Sequence, residues 1–360
     1  MRKNCSNYPF EFVTDAFAED NAVLRDVLRT VTGAERPRVF IVADMNVVQH
    51  TAGLGTKIGR YLQAQGVELA GSPVVVTCGE FAKDDGFASV GRIFAAALAA
   101  KVGRNDVMLA IGGGTLLDLA GYAAAQVRGG LRLVRMPTTP LAMIDSAHAE
   151  TAVLNVQGVK DALKVAIAPA AVVIDFQFAA NVLDGVWRGG YAAALRVAYG
   201  SDSALVKRVV KLASQYRARD WDAMVALVRD CSEVRRKKGD SGFGLWSALR
   251  LESMSGFKLP HGYAIGLGML IDSQYAVLKG RFSQTDRDVL VQALTESGVM
   301  EGAMHSRSCL GDVDGVLLGF NAWSLATGEE SVPELVAPGK VALGEKTDRN
   351  TMKEAINLVK

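Results

Sequence analysis

The first half of the chain is built from short, unbroken apolar runs separated by longer stretches of helical periodicity. The runs lie at 38–44 (RVFIVAD), 73–79 (PVVVTCG), 106–114 (DVMLAIGGG), 131–137 (LRLVRMP) and 170–175 (AAVVID), and each is bounded by turn-forming residues. Continuous β-branched runs of this length suit strands covered on both faces, as in a parallel sheet. The segments 53–66, 84–103 and 115–128 between them are amphipathic and long enough to be crossover helices. The spacing therefore predicts a doubly wound α/β domain ending near Asp175. From about residue 185 the β-branched runs stop and the pattern becomes helical, most clearly over 203–238. Two domains are expected, with boundaries at 1–180 and 181–360.

Composition agrees with this reading and narrows the partners. At 360 residues, 49% apolar and 22% charged, the chain can bury two cores. A formal charge of +2 gives no reason to expect nucleic acid or an anionic membrane as a partner. Cys5, Cys78, Cys231 and Cys309 show no C-x-x-C spacing, so reduced thiols are expected. The polar start MRKNCSNYPFEFV does not read as a signal peptide, and FAAALAA is too short to span a bilayer. A cytoplasmic protein is expected. The charge run RRKKGD at 235–240 reads as a solvated helix end, with an anion site as the alternative.

Candidate chemistry gathers at the ends of the predicted strands. LAIGGGTLLDLAGYAAA (109–125) is a strand, three glycines and a helix. Such a turn lets backbone approach a diphosphate at a helix N-terminus, although Gly-Gly-Gly alone also suits an ordinary tight turn. Asp118 follows in the first turns of that helix. Asp44 ends the first run, and Glu80 and Lys83 lie just beyond the second. Ligands of open α/β sheets bind outside the carboxyl ends of strands, where a carboxylate suits ribose hydroxyls. Asp44 and Glu80 as plain turn residues remain the alternative.

Taken in order, VADMNV, GEFAK, GGGTLLDLAGYAAA, VRGG, MPTTPLAMIDS, AVVID and LPHGYAIGLGM resemble 3-dehydroquinate synthase and its sugar phosphate cyclase relatives, from about residue 38 to about residue 272. Iron-type alcohol dehydrogenases share the general fold and the glycine turn, but DLAGYAAA followed by PTTPLAMIDS is similar to the cyclases. The resemblance implies an N-terminal Rossmann-like domain, a C-terminal helical domain, a homodimer and NAD as cofactor. It places Asp44, Glu80, Lys83, Gly112, Gly113, Gly114, Asp118, Thr138, Thr139, Asp145 and, in GVKDA, Lys160 on cofactor-contacting positions. Arg128 and Lys238 fall on substrate-binding positions.

The family also uses one divalent metal, held by a Glu and two His, to polarise the oxygen that is oxidised and later the aldol carbonyl. Here the Glu position of ALRVAYG (194–200) is Leu195. The first His position of GFGLWSAL (242–249) is Leu245, and a further His position is Leu249. Only His261 of LPHGYAIG remains, and one imidazole does not make a zinc site. No metal is expected. Family lysines fall near Glu150 and on Ala198, so a phosphorylated carboxylate should bind worse than in the family. His148 and Glu150 are new polar groups beside Asp145. With His261 they are the candidates for proton transfer, and Tyr191 and Tyr263 are further donors. His50 and His305 lack polar company in the sequence. The expectation is a metal-independent, NAD-using enzyme of the cyclase type, with altered substrate and chemistry. An NAD-dependent dehydrogenase and a non-catalytic cofactor-binding homologue are the alternatives.

Overall fold

The structure is a computed structural model that describes residues 8–304, 307–344 and 346–360. Cys5, most of the polar N-terminal segment and His305 lie outside the described residues. The chain forms two compact units, which part between Val182 and Leu183.

The N-terminal unit is a parallel sheet of seven strands. They are β1 (Phe10–Val13), β2 (Arg38–Asp44), β3 (Glu68–Leu69), β4 (Val74–Val76), β5 (Val107–Gly112), β6 (Arg132–Pro137) and β9 (Ala171–Asp175), in the order β1-β9-β6-β5-β2-β3, with β4 also paired to β2. Residues Val107–Gly112 and Ala171–Asp175 are buried at every position, which is why their sequences are unbroken apolar runs. The connections include α1 (Val23–Thr32), α2 (Met45–His50), α3 (Leu54–Ala64), α4 (Ala88–Ala99), α5 (Gly114–Gln126) and α6 (Pro140–Ile144). One core packs Leu24, Leu28, Ile58 and Tyr61 against Val39, Ile41, Leu109 and Val173 of the sheet. The five predicted strands are all present. The pattern missed β1 and an antiparallel hairpin, β7 (Thr151–Val156) with β8 (Val159–Ala166). The β8 sequence VKDALKVA is part exposed and interrupted by Lys160, Asp161 and Lys164, so no apolar run marks it.

The C-terminal unit is helical, with one short hairpin, β10 (Pro333–Ala337) and β11 (Lys340–Leu343). The helical pattern over 203–238 is carried by α8 (Ser203–Lys211), α9 (Ala213–Arg217) and α10 (Trp221–Lys238), after α7 (Asp184–Ser201). Then follow α11 (Leu245–Met254) and α12 (His261–Leu278). Residues Gly262–Ala276 of α12 are all buried, so that helix is covered by protein on every side. Glycine allows the backbones to touch: a Cβ at Gly262 would lie 2.3 Å from the Gly189 Cα, and one at Gly268 would lie 2.0 Å from the Gly244 oxygen. Among the described residues no helix is long and apolar enough to cross a membrane.

Asp272 is buried inside α12 and accepts hydrogen bonds from Trp246 Nε1 (2.6 Å) and the Gly244 backbone N–H (2.7 Å). Burial pushes its carboxyl up to about 7, against the pull of those two donors. The folded protein therefore holds a proton that the unfolded chain releases near pH 4. The stability gained is complete below that pH and is lost as pH rises through about 7. At about 1.4 kcal/mol per unit, the effect is at most about 4 kcal/mol. Melting curves from pH 5 to 8.5 should show wild-type stability falling with pH, and Asp272→Asn should flatten that slope. An unchanged slope in the variant would remove Asp272 from the account.

Candidate nucleotide and active site

The glycine turn is at the carboxyl end of β5, in the middle of the sheet. Gly112 ends the strand, Gly113 caps α5, and Gly114 begins it. A Cβ on Gly112 would lie 2.5 Å from Leu116 Cδ2 and 3.0 Å from Asp44 Cβ, and one on Gly114 would lie 2.8 Å from Ser146 Oγ. Gly113 is looser, with Thr139 Cγ2 at 3.4 Å as the nearest atom. The turn thus brings bare backbone, with the unpaired N–H groups of a helix start, beside Asp44 at the end of β2. Asp44 is buried and receives the Asn46 N–H at 2.9 Å. Desolvation raises its carboxyl, and the Asn46 and Cys78 hydrogen bonds oppose that.

The next strand end supplies Thr138, Thr139 and Asp145. The Thr138 N–H donates to the Gly112 oxygen at 3.1 Å, while its buried hydroxyl has no partner in the protein. A buried unpaired hydroxyl costs about 1–3 kcal/mol, which a ligand atom or water at this edge would recover. Thr139 Oγ1 caps α6 through the Ala142 N–H (3.2 Å). The loop after Asp145 is held from below by Arg135, a buried arginine of β6 that donates to the carbonyls of Ser146, Ala147 and Ala149.

Beside the turn is a cluster of charges. Lys83 Nζ, almost fully buried, contacts Asp118 (2.8 Å), Asp161 (3.3 Å) and Glu80 (3.8 Å). Burial alone would lower its pKa, but Asp118, Asp161 and Glu80 hold the ammonium well above the usual lysine range. Desolvation raises Asp118, and Lys83 only partly offsets it. Lys160 pairs with Glu80, which also accepts from Asn155 Nδ2 at 3.2 Å. Asn155 Oδ1 in turn receives the Asp161 N–H at 2.9 Å. Glu80, Lys83, Asp118 and Lys160, separate in sequence, are thus one constellation. Sequence reasoning missed Asn155 and Asp161. The alternation of TAVLNVQGVKDALKVA about Gln-Gly is a hairpin signal that could have found them.

The candidates for proton transfer have different surroundings. His148 is 4% exposed. Its Nδ1 bonds the Tyr8 hydroxyl at 2.9 Å, its Nε2 bonds the Met143 oxygen at 3.2 Å, and Phe10 packs edge-on against the ring. Both nitrogens are committed within the unit, an arrangement that serves structure more directly than proton transfer. Glu150 is exposed. His261 is half-buried at the start of α12, with Nδ1 2.6 Å from Glu252 Oε1, and the Glu252 side chain is wholly buried. A carboxylate on Nδ1 fixes the ring and favours the tautomer whose Nε2 is the basic atom. Glu252 was also missed by sequence reasoning. Tyr191 is buried and donates to the Val209 oxygen at 3.0 Å, so it is part of the core.

The remaining substrate-side positions differ in their surroundings. Lys238 Nζ donates to the Ser201 oxygen (2.7 Å) and Asp202 Oδ2 (3.1 Å). Arg128 is exposed on a left-handed residue (φ 53°). The run 235–240 is not wholly solvated: Arg235 is buried and lies 3.5 Å from Asp240, which also binds Arg196 through both oxygens (2.6 and 3.2 Å). Leu195 and Ala198 are completely buried, and Leu245 and Leu249 are half-buried. Among the described residues no three His, Cys, Asp or Glu side chains are grouped as a metal requires.

Comparison with known proteins agrees with the fold. The family model of the 3-dehydroquinate synthase N-terminal region matches residues 73–185. The chain is 31% identical over 251 residues to 3-dehydroquinate synthase of Gloeobacter violaceus, covering 67% of this chain and 68% of the relative. It is 29% identical over 297 residues to that of Rhodopseudomonas palustris, covering 78% and 76%. A 2-epi-5-epi-valiolone synthase from Streptomyces hygroscopicus, solved with NAD+ and Zn2+ bound, superposes with a TM-score of 0.85 at 21% identity over 98% of this chain and 97% of that one. A 2-deoxy-scyllo-inosose synthase complexed with carbaglucose-6-phosphate, NAD+ and Co2+ gives 0.70 at 19% identity over 96% and 95%.

The glycine geometry separates two effects. Gly112→Ala must displace Leu116 or Asp44 and should cost about 1–3 kcal/mol in denaturant unfolding. Gly113→Ala should cost under about 1 kcal/mol. Equal costs would mean that the turn is looser at Gly112 than its contacts indicate.

Proposed function

The chain belongs to the 3-dehydroquinate synthase family, and on that premise we propose that it is an NAD-using enzyme that works without a metal. The observation that carries the cofactor reading is the close-packed glycine turn at the sheet's carboxyl edge. Gly112, Gly113 and Gly114 leave backbone for the diphosphate, Asp44 and Glu80 offer acceptors for ribose hydroxyls, and the unpaired Thr138 hydroxyl awaits a partner. Lys83, Asp118, Lys160, Thr139 and Asp145 complete the set. NAD, when bound, supplies hydride transfer.

The residues present do not suit a metal. Leucine has no lone pair, and at the three altered positions it offers only packing. The reaction is then one that uses hydride transfer and proton movement without a Lewis acid, on a small molecule other than that of 3-dehydroquinate synthase proper. His261 is the best-built proton carrier, because buried Glu252 orients its ring through Nδ1 and leaves Nε2 as the basic atom. Glu150, exposed beside the Asp145 loop, is the second candidate. His148 holds that loop in place. A homodimer in the cytoplasm is part of the same reading. A non-catalytic cofactor-binding homologue is the second reading, favoured by the complete burial of Leu195 and Ala198, which resembles a site closed by packing. A plain dehydrogenase would be recognised by NADH accumulating with product.

Titration calorimetry with NAD should give micromolar-range binding that Asp44→Ala weakens at least tenfold, which is about 1.4 kcal/mol. Failure to bind either NAD or NADP would end the cofactor assignment. Elemental analysis of the purified protein should find no stoichiometric zinc, cobalt or iron. About one metal per chain, lost in His261→Ala, would show that other ligands exist.

A further inference from the structure

We propose that Ser255 is a positioning residue for the His261–Glu252 pair, because its hydroxyl closes the turn that brings the imidazole onto the carboxylate. The proposal rests on the reading above, that His261 is the proton carrier. Glu252 lies in the last turn of α11 and His261 opens α12, so their contact depends on how the chain reverses over residues 253–260. The first part of that reversal is a helix C-cap. Gly256 is left-handed (φ 59°), the Phe257 N–H donates to the Glu252 oxygen at 2.9 Å, and the Gly256 N–H donates to the Ser253 oxygen at 3.0 Å. This is the doubly bonded cap that glycine favours, and it fixes the backbone of Glu252.

A cap of this kind ends a helix but does not decide where the chain goes next. Ser255 supplies the next link. Its Oγ donates to the Glu252 oxygen at 2.7 Å and accepts the Leu259 N–H at 3.0 Å, so one hydroxyl donates and accepts at once. Leu259 is buried, and Pro260, with φ −60°, hands the chain directly to His261. The hydroxyl therefore ties the carbonyl of Glu252 to the backbone just before His261, where the imidazole Nδ1 meets Glu252 Oε1 at 2.6 Å. Phe257 is also left-handed (φ 59°), a conformation that a bulky residue adopts only where its surroundings impose it. Ser255 and Leu259 bracket that residue.

The test labels the histidines with nitrogen-15 and reads the ring tautomer of His261 by NMR at about pH 8.5, where an ordinary imidazole is neutral. The chain has four histidines, and the His261 signals are those lost in His261→Ala. Wild type should hold the Nδ1–H tautomer, because the carboxylate accepts from Nδ1. Ser255→Ala removes both bonds of the turn and should move the balance about fivefold toward the Nε2–H form, the size of one lost hydrogen bond. Ser255→Thr keeps the hydroxyl and should keep the wild-type balance. Ser255→Cys, whose thiol is a weak donor and acceptor, should give an intermediate balance, and it decides the question if Ser255→Ala does not fold. A merely structural Ser255 would lower the melting temperature and leave the tautomer unchanged, and that result overturns the proposal. So does a Ser255→Thr variant that shifts as far as Ser255→Ala, or a wild type without the Nδ1–H form. The readout needs neither NAD nor turnover, so failure of the enzyme reading shows separately, in cofactor binding and activity.

Discussion

A buried ammonium must be surrounded by acceptors, and much of the N-terminal unit's ligand edge is arranged around that need at Lys83. Removing one partner from a buried charge set typically costs about 3–5 kcal/mol. Lys83 draws those partners from three places: Glu80 on its own short helix, Asp118 on α5, and Asp161 on the β7–β8 hairpin. The hairpin docks through β7, whose Ala152, Val153 and Leu154 are buried. The charged residues of β8 add a second tie, because Asp161 and Lys160 find opposite charges on the Glu80–Lys83 segment, and Asn155 links the two through its amide. One cluster therefore positions cofactor candidates from separate parts of the chain.

In the C-terminal unit, the positions at which the resemblance places metal ligands carry leucine. Where charged or imidazole groups would demand partners, Leu195 and Ala198 are packed completely, and the glycine contacts of α12 bring backbones together. The polar groups that remain are held by internal bonds: His261 by Glu252, Asp272 by Trp246 and Gly244, Arg196 by Asp240. Packing of this kind stabilises the fold whether or not chemistry survives. That is why apolar replacement alone does not decide between a changed enzyme and a silent one, and why a well-oriented His261 matters more to the question than three leucines.

The elements legible in the sequence were those whose burial imposes a pattern. Strands β2, β5, β6 and β9 are covered on both faces and read as unbroken apolar runs. The edge strand β1 and the outer hairpin strand β8 are part exposed, so no unbroken apolar run marks them. Position in the fold likewise made Asp44, Glu80 and Lys83 findable, because strand ends are where such residues gather. Asp161, Asn155 and Glu252 act through partners 9 to 78 residues away; a hairpin signal about Gln157-Gly158 could place the first two on one hairpin, but no local spacing announces their contacts with Lys83 and Glu80 or that of Glu252 with His261. The run 203–238 was legible as helical, although its pattern does not mark the breaks between its three helices. Its periodicity is continuous, but Asp202 and Asp220 cap separate helices through their side chains, and a cap interrupts a helix without disturbing the apolar stripe.

The loop Asp145–Glu150 illustrates why residue type is weaker evidence than environment. A histidine and a glutamate two positions apart, next to a predicted cofactor residue, suggest acid–base chemistry. Burial divides them. His148 fills a pocket between Tyr8, Phe10 and Met143, and its ring joins the first strand region to the loop. To carry a proton to a ligand it would have to break one of two internal hydrogen bonds and leave a buried acceptor or hydroxyl unmatched, at about 1–3 kcal/mol. Arg135 fixes the same loop from the sheet side through three carbonyls. A loop held this firmly on both sides is suited to presenting Asp145 in one place, and the exchange to His148 contributes to that rigidity.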